Sequence, residues 1–232
     1  MIFDIGANQG YKAGLFLRLG TRVVALEPDE DSARILEQKF LKYRFKKAPA
    51  TVIAKAVSDE NAVARLWIDE PGSAKNTLNQ KWADALRHDD QRFGHKRSFA
   101  GYKDVETVTI DELIATYGVP LLIKIDVEGH ELSVPRGMRQ SVRYLSFEVN
   151  LPDFRDEGFQ CLQVLADLDP TGRFNYTADC RHGLLLKRWL ESREFSGVFG
   201  SCTDESIEVF WRCPARSRSA DASARNRYTC LP

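Results

Sequence analysis

Polar side chains capable of chemistry close one apolar run after another along this 232-residue chain. Asp4 sits in "IFDI", just before the loop Gly6-Ala7-Asn8-Gln9-Gly10, and Glu27 ends "VVAL". Ser58 and Asp59 follow "ATVIAKAV", Asp126 and Glu128 follow "LLIKI", and Glu148 and Asn150 end "YLSFEVN". Glycines let a backbone approach a ligand closely, and a helix opening after Gly10 presents free amides to it. A carboxylate about 20 residues beyond such a loop suits a ribose, because it accepts hydrogen bonds from both hydroxyls. Taken singly, the loop is a tight turn and Glu27 a helix-start acid; together they point to an adenosine-type ligand. The far end of that ligand is not a pyrophosphate. The G-x-G-x-x-G spacing is absent, Asn8 stands at the third loop position, and Asp4 would repel phosphate. An acid there suits a cation, such as an amino or sulfonium group.

Elements that could hold these groups alternate along the chain. "IFDI" reads as a short strand and "YKAGLFLRLG" as a helix, with Leu15, Phe16 and Leu19 at helical spacing. "TRVVALEP" is a near-continuous apolar run, as expected of a strand buried on both faces. The following segment puts Asp29, Glu30 and Asp31 first and Lys39 and Lys42 late, an order that complements a helix dipole. "ATVIAKAVSD" is expected to be the third strand and "AVARLWID" another, at an edge. From Glu70 to Tyr102 the pattern weakens, with one short helical piece. "VETVTIDELIATYG" resumes with a strand and a helix, "VPLLIKIDVEGHE" is a strand running into a turn, and "LSVPRGMRQSV" is a short helix. "RYLSFEVN", "RFNYTADC" and "SIEVFWRC" complete the strands, with a helix over "FRDEGFQCLQVLADL" between the first two. Such alternation predicts a doubly wound, parallel α/β sheet, with ligands outside the carboxyl ends of its strands.

Composition narrows the class. Apolar residues make up 43% and charged residues 28%, ordinary values for a globular domain. Lys and Arg number 33 and so do Asp and Glu, which leaves no global field to attract nucleic acid or an anionic membrane. Five widely spaced cysteines without a CxxC argue against a disulfide framework or zinc cage and fit reduced thiols in a cytoplasm. No signal-peptide pattern or bilayer-length apolar run is visible. Residues 1–213 are expected to form one domain. Residues 214–232, rich in Arg, Ser and Ala without periodicity, are expected to be a disordered tail.

"FDIGANQGY", "ALEPD", "AVSD", "TIDEL" and "IKIDVEGHELSVPRGM", in that order, resemble the FkbM family of S-adenosylmethionine-dependent methyltransferases, over Ile2 to about Trp211. The "KIDVEGHE" block is the most specific part. The resemblance implies a Rossmann-like, seven-stranded sheet with an antiparallel last strand, and methylation of a hydroxyl on a small molecule or sugar. It assigns Asp4, Gly6, Asn8 and Gly10 to the methionine part of S-adenosylmethionine, Glu27 to the ribose, and Ser58 and Asp59 to the adenine. Members of the family carry a longer first strand and upstream helical material, so the first strand here is expected to be truncated.

On the acceptor side, strand alternation puts Lys124 and Asp126 on one face. A lysine in a buried parallel strand demands a partner, either structural or catalytic. Asp126 is expected to act as the base on the acceptor hydroxyl and also to touch the cofactor, with Lys124 steadying its charge and Glu128 beside it. Asp126, Glu148 and Asn150 are weak candidates for holding a divalent metal through oxygen. His130 is either a base near the acceptor or the start of the next helix. The basic-aromatic stretches "KFLKYRFKK" and "RFGHKRSFAGYK" are expected to be a solvated helix face and an acceptor-binding lid, respectively. The readings that compete with a small-molecule methyltransferase are an RNA or protein methyltransferase and a cofactor-binding domain without activity.

Overall fold

The computed structural model describes residues 1–43, 49–88, 97–179 and 182–214. Their strands are β1 (Ile2–Ile5), β2 (Val23–Leu26), β3 (Ala50–Ile53), β4 (Ala56–Val57), β5 (Val63–Ile68), β6 (Gly101–Val108), β7 (Leu122–Ile125), β8 (Tyr144–Asn150), β9 (Arg173–Thr177) and β10 (Ser206–Arg212). The helices are α1 (Tyr11–Arg18), α2 (Glu30–Phe40), α3 (Gln80–His88), α4 (Ile110–Tyr117), α5 (Ser133–Arg136), α6 (Arg155–Leu168) and α7 (Ser192–Ser201).

Seven strands form the main sheet in the order β3-β2-β1-β7-β8-β10-β9. The first five run parallel, and β10 is antiparallel to both neighbours. The chain winds outward from β1 to β3, then restarts at β7 on the other side of β1. That reversal leaves a crevice at the carboxyl ends of β1 and β7, where a doubly wound sheet binds its ligand. The mostly parallel sheet with an antiparallel end is the architecture expected from the sequence. Where a truncated first strand is expected, β1 has four residues, as do β2, β3 and β7, and pairs along its whole length with β2 and β7.

Alternation within the strands sets what each face carries. Phe3, Ile5, Ile123, Ile125, Leu145 and Phe147 point into a large core with Trp82, Phe99, Phe174 and Trp211. A smaller cluster on the opposite face packs Ala13 and Leu17 of α1 and Leu36 and Phe40 of α2 against Val23 and Ala25. Asp4 and Lys124 are register partners on this second face. Asp29 caps α2, its Oδ1 accepting from Asp31 N at 2.9 Å and Ser32 N at 3.0 Å, and Thr109 Oγ1 caps α4. Each cap satisfies amides that the helix cannot pair itself.

Three details depart from the sequence reading. The expected third strand divides: Ala50–Ile53 joins the main sheet, while Ala56–Val57 pairs with β6 in a small second sheet, order β4-β6-β5. Exposed Ala54 and half-buried Lys55 interrupt the apolar run there. Ser58 and Asp59 therefore follow β4, not the end of a main-sheet strand. The edge position expected for "AVARLWID" is that of β5 in this second sheet. Helix α7 has no counterpart in the sequence reading. Its two glycines, Gly197 and Gly200, obscure the pattern, yet Phe195 and Phe199 form a buried stripe one turn apart.

Candidate functional site

The loop after β1 is shaped by three residues with positive φ: Gly6 at 74°, Asn8 at 46° and Gly10 at 80°. Gly6 is under the tightest constraint. A Cβ there would lie 1.8 Å from the Asp126 carbonyl oxygen, so no other residue fits without moving the backbone. The amides of Gly6 and Ala7 both donate to Leu26 O at 3.0 Å, tying the loop to the end of β2. Glu27 completes the tie: its Oε2 accepts from Asn8 N at 2.7 Å and its Oε1 from Asp29 N at 2.9 Å. Burial pushes the Glu27 carboxyl up to about 7, against those two amide hydrogen bonds.

A cleft opens between this loop, Glu27-Pro28, Lys55–Val57, and the turn after β7. Its roof comes from the segment after β5, through Ser73, Ala74, Asn76 and Leu78. Asn76 Nδ2 donates to Asp29 Oδ2 at 2.8 Å, Thr77 Oγ1 to Glu128 O at 2.6 Å, and Lys75 Nζ lies 2.8 Å from Glu128 Oε1. Glu128, with φ 53°, is buried and also accepts from Trp82 Nε1 at 3.4 Å. The residue expected beside the base thus fastens the roof to the floor. Glu131 Oε1 caps the same turn by accepting from Val127 N at 3.1 Å and Gly129 N at 3.2 Å.

His130 lines the cleft rather than starting a helix, since α5 opens at Ser133. Its Nε2 lies 3.1 Å from Ser58 Oγ, and Ser58 in turn donates to Asp59 Oδ1 at 3.0 Å. Burial lowers the His130 pKa, which favours a neutral ring. Ser58 therefore stands behind His130, and Asp59 is exposed.

The second face of the sheet holds a chain of charges. Asp4 is fully buried; Lys124 Nζ lies 3.5 Å from its Oδ1, and its Oδ2 meets no hydrogen-bond partner among the described residues. Burial raises the Asp4 carboxyl above the usual range. Lys124 Nζ also lies 3.0 Å from Asp126 Oδ2, and Lys12 Nζ, from the first turn of α1, lies 3.5 Å from the same oxygen. Burial alone would lower the Lys124 pKa, but Asp4 and Asp126 outweigh it and hold the ammonium charged. Burial would raise Asp126, yet Lys124, a hydrogen bond with Glu148, and Lys12 hold it well below the usual carboxylate range. Such a carboxylate keeps its charge rather than taking a proton, which weighs against the base role expected of Asp126.

The metal expectation finds no fitting donor set. Two ammonium groups stand where a cation would sit on Asp126, Lys124 at 3.0 Å and Lys12 at 3.5 Å from its Oδ2. Among the described residues, no group of three or more His, Cys, Asp or Glu side chains could hold a metal ion. Of the two basic-aromatic stretches, residues 44–47 and 92–96 lie outside the described residues. Within the remainder, Arg97 pairs with Asp69 at 2.9 Å and Phe99 is buried in the core, while Gly101, Tyr102 and Lys103 lie exposed on β6. Lys12, Lys75 and Asn76 were not singled out from the sequence. A lysine in the first turn of a helix opposes the dipole, and that misfit is the signal that Lys12 has an acidic partner.

A family profile described as "Methyltransferase FkbM domain" matches residues 4–171. The curated hexuronic acid methyltransferase AglP of Haloferax volcanii is 26% identical over 151 residues, 64% of this chain and 54% of that protein. The crystal structure of methyltransferase FkbM from Methylobacillus flagellatus is similar over 90% of this chain and 43% of its own, with TM-score 0.54 and 16% identity. The chain thus spans about half the length of each. No helix among the described residues is long and apolar enough to cross a membrane.

Proposed function

The chain belongs to the FkbM methyltransferase family, and from that premise we propose that it transfers a methyl group from S-adenosylmethionine to a hydroxyl of a sugar-like acceptor. The observation that carries this reading is the buried Asp4 with an orphaned oxygen, one residue from a loop in which Gly6 cannot be replaced without a clash. A tight cradle beside an anion fits a ligand that is cationic at one end and ribose-bearing at the other. Gly6 and Asn8, which line the cleft, would hold the methionine part and Glu27 the ribose hydroxyls, with Asp4 buried behind the loop and Gly10 packed against Leu36 and Phe40 of α2. His130, backed by Ser58 and Asp59, would meet the adenine. When bound, the cofactor supplies an electrophilic methyl group on a sulfonium.

The protein's own residues then have three tasks. Glu27 orients the ribose while its amide bonds to Asn8 and Asp29 keep the loop in shape. The roof segment, latched through Lys75 and Glu128, excludes water from the cleft. Asp126, with Lys124 and Lys12, fixes a negative charge near the acceptor hydroxyl. Oxygen as the accepting atom, and a sugar acid as the acceptor class, draw support from the hexuronic acid methyltransferase relative. The partly exposed Lys12 ammonium is suited to receive a substrate carboxylate.

Calorimetry with S-adenosylhomocysteine tests the cofactor, and binding is expected where NAD gives none. Labelled methyl transfer from S-adenosylmethionine to glucuronic acid tests the reaction. Absence of S-adenosylhomocysteine binding would overturn the cofactor assignment, and methylation at nitrogen or carbon the acceptor assignment.

A further inference from the structure

Two carboxyl groups, Asp126 and Glu148, meet at the carboxyl ends of β7 and β8, and their surroundings differ. Asp126 Oδ2 faces two ammonium groups, Lys124 at 3.0 Å and Lys12 at 3.5 Å. Glu148 follows the last register pair of β7 and β8, Ile125 with Phe147, and so stands beside Asp126, while its Oε1 accepts from Ser206 Oγ at 2.7 Å. No ion pair to Glu148 is found among the described residues. Carboxyl groups this close do not both ionise freely, so the pair retains one proton over a wide pH range. The ammonium groups fix the negative charge on Asp126, which leaves the shared proton on Glu148.

We propose that Glu148, rather than Asp126, is the base that takes the proton from the acceptor hydroxyl, with Asp126 as the positioning residue that accepts the resulting Glu148 O–H. This rests on the methyl-transfer reading above. The acceptor O–H bond breaks and its proton passes to a Glu148 carboxylate oxygen. The freed oxygen pair forms the new bond to the methyl carbon, as the carbon–sulfur bond gives its pair to sulfur. Glu148 is only partly buried, so an acceptor oxygen can reach it.

The groups that face Glu148 are consistent with this role. Ser206 and Glu208 face it from β10, where Glu208 is its register partner, and Asp126 and Lys124 face it from the end of β7. Lys12 arrives from α1, 3.9 Å from Glu208, and Glu128 adds a more distant negative charge. Burial raises the Glu148 carboxyl to about 7, the Asp126 charge and hydrogen bond adding to the shift and the Ser206 hydroxyl opposing it. A base near the working pH combines availability with driving force.

The test begins on the full chain without any ligand, labelled with carbon-13 at the glutamate side-chain carboxyls and titrated by NMR. Glu27 and Glu131 also titrate near neutrality or just above, so assignment comes from variants. One neutral-range titration is expected to vanish in Glu148→Gln, to move up in Ser206→Ala and to move down in Asp126→Asn. Methyl transfer to glucuronic acid is then followed over the same pH range. The wild-type rate should rise through neutrality. Glu148→Gln should lower it by about 10²-fold or more while S-adenosylhomocysteine affinity by calorimetry stays the same. A Glu148 carboxyl that titrates in the ordinary glutamate range, or a Glu148→Gln variant that keeps its rate and pH profile, overturns the proposal. If the wild type fails to bind S-adenosylhomocysteine, the cofactor reading falls instead, and the titration alone decides the state of Glu148.

Discussion

Replacing Lys124 with methionine removes a buried ammonium at nearly constant volume and exposes how the site's charges are balanced. In the native arrangement, Lys124 Nζ lies 3.5 Å from Asp4 and 3.0 Å from Asp126. The two carboxylates do not lose equally. Asp126 retains Lys12 at 3.5 Å, whereas fully buried Asp4 retains no ion-pair partner among the described residues. Breaking a buried pair from one side costs about 3–5 kcal/mol, because the remaining charge is desolvated and uncompensated. At about 2–4 °C per kcal/mol for a domain of this size, the melting temperature should fall by roughly 6–20 °C. The sign of the pH dependence follows from Asp4, whose folded pKa is already raised by burial and rises further without the lysine. Its neutral form is tolerated at low pH, and the deficit grows as pH rises through that folded pKa. Thermal melts by circular dichroism from about pH 5 to about pH 8 would show this for Lys124→Met, Asp4→Asn and the double variant. The double variant should recover most of the loss. A Lys124→Met protein within a couple of degrees of wild type, or additive losses in the double variant, would refute the reasoning.

Two further outcomes concern the proposed cofactor cleft. Glu27→Ala should weaken S-adenosylhomocysteine binding by about 1.5–3 kcal/mol, or roughly 10- to 150-fold. Because the ligand-free carboxyl sits at about 7 and a ribose hydrogen-bonds its charged form, wild-type affinity should tighten as pH rises through neutrality, a trend that Glu27→Gln abolishes. Calorimetry showing unchanged affinity in both variants removes Glu27 from the ribose site. Gly6→Ala should abolish binding, since its Cβ meets the Asp126 carbonyl at 1.8 Å and φ is 74°. Gly14→Ala in α1, where nothing lies within 4 Å, should leave binding intact and stabilise by about 0.5–1 kcal/mol. Equal behaviour of the two variants would mean that the loop is not a cradle.

The strands that build the crevice were legible because each advertises itself locally. "TRVVALEP" and "LLIKID" are short apolar runs ending in an acid, and the Gly6–Gly10 loop has spacing that a helix or strand cannot use. What stayed hidden was set by tertiary partners. Nothing near "IAKAV" states that Ala56 and Val57 will pair with Thr107 and Val108, about fifty residues on, instead of extending β3. Glu128 reads as a site carboxylate from its place after a strand. Its role as an anchor depends on Lys75 and Trp82, which lie in the segment where sequence periodicity is weakest. The roof over the cleft comes from that same weak segment, ahead of the basic-aromatic stretch expected to form a lid.

The division of labour between Asp126 and Glu148 lies furthest from the sequence, because it turns on which of two carboxylates meets the ammonium groups. Period-two alternation puts Lys124 beside Asp126 on one face, and this much can be read from "LIKID". That Lys12 reaches the same oxygen depends on α1 crossing that face, and that Glu148 lies against Asp126 depends on β8 being the next strand. Ser206 reaches Glu148 only because β10 inserts antiparallel beside β8, opposing it residue by residue. The antiparallel strand thus brings to Glu148 a neutral hydroxyl, which supports a carboxyl near its titration point, whereas a third ammonium would have locked it as an ion. Charge is fixed at the end of β7 and left free to change at the end of β8, the asymmetry a proton acceptor needs.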